Sequence, residues 1–159
     1  MKLLISSILL LLVAPCNSSK KANATAVTDN SKVIITYKRT PCFGRCPVYS
    51  MNINAATKMI SYTGEANTTK TGTYTKAISD EELNTLVSAF EKSGFFQMND
   101  EYLGTITDFP SKYISFSDGA RSKLIRDRSG APSELEALEK QLEAIADSEG
   151  WKKSEEAGN

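Results

Sequence analysis

From residue 33 to residue 78 the chain keeps changing sides, and a period of two is a pattern that only strands can use. Tyr49, Met51 and Ile53 alternate with Ser50 and Asn52, so that one face of an extended segment is apolar and the other polar. Similar β-rich runs lie near 33–40, 47–54, 59–64 and 72–78. No segment between them is long enough for the crossover that a parallel pair requires. Four short strands in direct succession therefore predict an antiparallel meander.

After residue 78 the period lengthens. Ser79-Asp80-Glu81-Glu82 has the form of a capping box, and Leu83, Leu86, Val87 and Phe90 follow on one helical stripe. Gly94 closes that helix, expected near 80–93. Tyr113–Ser117 and Lys123–Asp127 flank Asp118-Gly119, a hairpin turn signal that places strands near 112–117 and 122–127. Ser133 to Glu136 repeats the capping-box pattern, and Leu135, Leu138, Leu142 and Ile145 mark a second helix near 133–147. The expected fold is α+β, an antiparallel sheet in ββββαββα order with two amphipathic helices on one face. An apolar stripe of this kind is read as core, because a lone sheet must bury its apolar side.

The first residues do not belong to that fold. Lys2 precedes an apolar stretch from Leu3 to Val13, followed by Ala14-Pro15-Cys16. This is too short to span a membrane, which takes about 20 residues, and has the form of a signal sequence. A cysteine directly after such a stretch resembles the lipobox of bacterial lipoproteins, with Pro15 where Gly, Ala or Ser is usual. That resemblance implies diacylglycerol on Cys16 and cleavage before it. Ordinary signal-peptidase cleavage after Ala24 is the alternative. Residues 1–15 are thus expected to be a signal peptide and 16–32 a flexible tether, too polar to repay the entropy of ordering. One domain spans 33–148, and residues 149–159 form a disordered tail. The chain has 159 residues, a length suited to one such core.

Composition removes several functions. Lys plus Arg and Asp plus Glu both number 19, and histidine is absent. Charge balance gives no field to gather nucleic acid. Lack of histidine takes away the usual neutral-range general base and metal ligand. Arg121, Lys123, Arg126 and Arg128 fall in one hairpin and read as a solvated strand face that discourages edge pairing. Asp108, before Phe109-Pro110, reads as a turn residue.

Thr40-Pro41-Cys42-Phe43-Gly44-Arg45-Cys46-Pro47-Val48-Tyr49 is the distinctive segment. Its Cys42, Phe43, Gly44, Cys46, Pro47 and Tyr49 resemble the Cys-Phe-Gly-x-Cys-Pro-x-Tyr motif of a family of exported bacterial proteins of unknown function, often lipoproteins. Thr107-Asp108-x-Pro110 and Ala131-Pro132-x-x-Leu135 extend the resemblance over roughly 33–147. It implies no activity. Cys42 and Cys46 would stand about 13 Å apart in an extended strand, beyond disulfide reach, but Gly44 permits the turn that would bring them together. A structural disulfide is expected in an oxidising compartment. A redox-active pair lacks the usual two-residue spacing at a helix N-terminus, and a metal site lacks further ligands.

The functional expectation is a non-catalytic, lipid-anchored protein of the bacterial envelope, with no cofactor and no nucleic-acid partner. Its domain would bind or scaffold an envelope protein or ligand, and Phe43, Gly44 and Arg45 form the candidate binding loop. Two alternatives remain open: a thiol-disulfide oxidoreductase using Cys42 and Cys46, and a hydrolase or hydrolase inhibitor. Converging polar groups in a pocket would favour a hydrolase, and a protruding Phe43-Gly44-Arg45 loop an inhibitor.

Overall fold

The computed structural model describes residues 30–105 and 107–154. The expected signal peptide, Cys16 and most of the expected tether lie outside the described residues. Strands β1 (Ile34–Arg39), β2 (Val48–Asn54), β3 (Met59–Ala66) and β4 (Gly72–Ala77) form the antiparallel meander. Helix α1 (Asp80–Lys92) and a 3-10 turn at Phe95–Gln97 follow, then β5 (Glu101–Tyr102), the hairpin β6 (Lys112–Ser117) and β7 (Ser122–Asp127), helix α2 (Ser133–Asp147) and β8 (Lys152–Lys153). The fold is mixed α+β, with the eight strands in the order β5-β7-β6-β1-β2-β3-β4-β8.

Alternation decides which face is covered. Ile35, Tyr37, Tyr49, Met51, Ile53, Ile60, Tyr62, Ile114, Phe116 and Ile125 are buried with Leu83, Leu86, Val87 and Phe90 of α1 and Leu135, Leu138 and Leu142 of α2 in one core. Both helices therefore lie on the same face. Phe90 stacks on Phe116 with ring centroids 4.6 Å apart and meets Phe95 edge-on at 5.0 Å, geometries that aromatic quadrupoles favour. The opposite face carries no helix. Register sets Ser115, Thr36, Asn52, Ser61 and Thr75 in one row across five strands.

Local chemistry explains the element ends. Ser79 Oγ accepts from the Glu82 amide at 3.2 Å while Ser79 N donates to Glu82 Oε2 at 2.9 Å, completing the first capping box. The Ser79 amide first, and then the Ser79 hydroxyl donating to the same Oε2 at 2.7 Å, hold the Glu82 carboxyl below its ordinary value. The β2–β3 turn contains no glycine. Asn54 Oδ1 accepts from the amides of Ala56 and Thr57, and Lys58 takes φ 52°, so the Asn side chain supplies the turn.

Four expectations are corrected. β5 pairs parallel with β7, so the sheet is not wholly antiparallel; two-residue strands carry no alternation by which sequence could find them. Helix α2 is capped by Pro132 without a side-chain bond, and Ser133, already helical, turns its hydroxyl to Glu134. The expected second capping box therefore does not form. Ordered chain extends past 148: β8 pairs with β4, and Trp151 packs against Tyr62 at 5.4 Å. The indole covers apolar surface that residues 149–154 would otherwise leave wet. The basic hairpin residues are also partnered rather than simply solvated. Arg121 lies 4.0 Å over Phe96, Lys123 meets Asp100 at 2.5 Å, and Arg128 donates to the Leu103 carbonyl at 3.0 Å.

Candidate functional site

Three loops meet where β1 ends, β2 and β6 begin, and β7 ends. They carry the three segments that the sequence singled out. The β1–β2 connection holds Cys42 and Cys46, which form a disulfide with Cα atoms 5.8 Å apart. The Gly44 amide lies 3.2 Å from Cys42 Sγ, and Asn67, just past β3, donates Nδ2 to the Cys46 carbonyl at 3.1 Å. Thr40 fastens this loop to the one before β6. Its amide donates to the Ser111 carbonyl at 3.0 Å, and its hydroxyl accepts from the Ser111 amide at 2.9 Å. On the third side, the Arg128 amide donates to the Tyr102 carbonyl at 2.8 Å, which sets the start of the β7–α2 connection containing Ala131 and Pro132.

Two aromatic rings project from this end. Phe43 is 93% exposed and Phe109 52%. Gly44 and Arg45 beside Phe43 are exposed too. A ring left in water on a closed, anchored turn satisfies no packing need of the fold.

Beneath the loops lies a polar cluster that the sequence reading missed. Tyr37 OH donates to Glu143 Oε1 at 2.7 Å, and Arg39 Nη1 reaches the same oxygen at 3.0 Å. Burial first, then the Glu143 charge, raises the Tyr37 phenol far above its ordinary value; burial raises Tyr49 as well, with Arg39 opposing. Lys112 Nζ bonds Asp127 Oδ2 at 3.3 Å and also Glu139 Oε2. Burial pulls the Lys112 ammonium down, but its two carboxyl partners outweigh that and leave it raised. Burial, with the Asp127 charge adding to it and Lys112 opposing, pushes Glu139 up to about 7. A sequence signal existed. Lys112 is in phase with buried Ile114 and Phe116, Asp127 with Ile125, and Glu139 stands one helical turn from Leu135, so each charge occupies an inward position.

The disulfide lies between two strands and not at a helix N-terminus, the setting that activates a thiolate. Among the described residues, no group of three or more His, Cys, Asp or Glu side chains could hold a metal ion. No helix there is long and apolar enough to cross a membrane. A hollow of about 830 Å³ sits between α1 and α2, lined by residues such as Asn84, Ser88 and Gln141, and includes none of the loop residues.

The fold is thus a small α+β domain with both helices on one face of the sheet and three loops gathered at one sheet end. Residues 33–146 match the family described as a domain of unknown function (DUF6438), and the chain belongs to that family. No curated protein matches the chain.

Proposed function

We propose that this is an exported, lipid-anchored and non-catalytic protein of the bacterial envelope, whose domain binds another envelope protein through the Phe43-Gly44-Arg45 loop. The observation that carries the reading is Phe43, 93% exposed inside a ring closed by Cys42 and Cys46. A turn fixed before encounter loses little entropy on binding, and an aromatic ring is the side chain best suited to fill a partner's pocket. Phe109 on the adjoining loop widens the apolar contact. The leader ending at Cys16 and the disulfide chemistry both suit an oxidising compartment outside the cytoplasm. The protruding loop also suits insertion into an enzyme cleft, which makes an envelope hydrolase one partner class.

A photo-crosslinking residue placed at 43 in living cells tests the reading, with the same residue at Thr57 on the β2–β3 turn as control. A discrete adduct at 43, absent at 57 and competed by added wild-type domain but not by its Phe43→Ala form, is expected. No adduct, or equal adducts at both positions, refutes the binding role. Mass analysis of the mature N-terminus tests the anchor separately: acylated Cys16 is expected, and an unmodified start at Thr25 ends that part of the proposal.

A further inference from the structure

One half-buried ammonium, that of Lys112, stands against two buried acids. The side chains of Asp127 and Glu139 are 4% and 3% exposed, and both bond Lys112 Nζ. The remaining oxygen of each, Asp127 Oδ1 and Glu139 Oε1, is buried without a hydrogen-bond partner. With both acids ionised the site would hold an excess negative charge out of water, together with two oxygens able only to accept; each condition is costly. A single proton relieves both. Placed on Glu139, it cancels the excess charge and converts that side chain into a donor toward Asp127.

Among the described residues, neither acid has a hydrogen-bond partner besides Lys112. From β1, Tyr37 and Arg39 both turn to Glu143, one turn farther along α2. Tyr49 of β2, a phenol kept neutral by burial, faces Arg39, Glu143 and Asp147 instead. Lys112 from β6 and Asp127 from β7 are the charged groups that act on Glu139 among the described residues.

We propose that Glu139 carries a proton shared with Asp127 in the folded protein, and that losing it loosens α2 from β6 and β7. The chain has no histidine, the residue that ordinarily serves the neutral pH window. A buried acid pair takes that role. In the unfolded chain Glu139 releases its proton at the ordinary glutamate value, whereas burial with Asp127 delays release to about 7 in the fold. Stability from this group is therefore full below the ordinary value and is lost as pH rises through about 7. The loop carrying Ala131 and Pro132 leads directly into α2, so the floor of the candidate site softens on the alkaline side.

Urea unfolding of the full chain, followed by Trp151 fluorescence between pH 5 and 8.5, tests this. The unfolding constant should climb with pH by up to about tenfold per unit, the slope for one proton, and level off above neutrality. Glu139→Gln, which donates at every pH, should remove that slope. A flat wild-type profile, or an undiminished slope in the variant, overturns the proposal. Should the variant fail to fold, carbon NMR of the wild-type Glu139 carboxyl decides: titration near neutrality supports the shared proton, and an ordinary glutamate midpoint overturns it.

Discussion

Replacing Gly64 by alanine probes how the sheet holds the candidate site. Gly64 is buried on β3, opposite Tyr49 and Gly72. A Cβ built there would stand 1.8 Å from the Lys70 carbonyl oxygen and 2.7 Å from Thr68 Oγ1, where real contacts keep beyond 3.0 Å. The nearest obstacle is backbone, so the β3–β4 loop must retreat by more than an ångström. Overpacking of this kind costs about 1 to 3 kcal/mol, here at the upper end because a rotamer change cannot relieve it. Alanine's smaller unfolded-state entropy returns up to about 1 kcal/mol. A net loss of about 2 kcal/mol is expected in urea unfolding monitored by fluorescence. Asn67 sits in the displaced loop and holds the Cys46 carbonyl, so the amide signals of residues 42–46 should shift as well. A variant within about 0.5 kcal/mol of wild type, with those signals unmoved, would refute the reasoning.

Phe90→Ala should destabilise by about 3 to 5 kcal/mol, since the ring is fully buried between Phe116 and Phe95; near-neutral stability by thermal or chemical unfolding would contradict that packing. The double variant Cys42→Ser with Cys46→Ser should lose about 2 kcal/mol, the chain-entropy figure for a ring with a sequence separation of four. Its core signals should stay unchanged. Titration of the wild-type bond in glutathione buffers should give a potential below about −300 mV, and a value above about −200 mV would instead indicate an oxidoreductase.

What could be read in advance followed from how many residues carry each signal. The meander and both helices rest on four or more in-phase side chains apiece, and burial enforces that phase. Ser79 and Glu82 cap α1 as their spacing predicts, whereas at α2 the preceding Pro132 is already extended at ψ 156° and takes the cap position from Ser133. β5 and β8 have two residues each and exist only because tertiary contacts bring Tyr102 and Trp151 onto the core. The Cys42–Cys46 segment was visible because its residue types are rare and close together. Lys112, Asp127 and Glu139 are common residues scattered over three elements; the inward phase of each marks it as buried, but nothing local says that the three meet.

The central position of β1 has a consequence for the order in which the chain can become complete. Its second edge is filled by β6, with Thr36 and Ser115 joined although 79 residues apart. A polypeptide emerging from its N-terminus can fold β1 through β4 onto one another, but the outer side of β1 then offers unpaired amides and carbonyls until β6 arrives. Such an edge is a template for any passing strand, and distant pairing is the slow kind. During that interval the first half of the molecule would need a chaperone, or a still-unfolded passage across a membrane, to remain unclaimed.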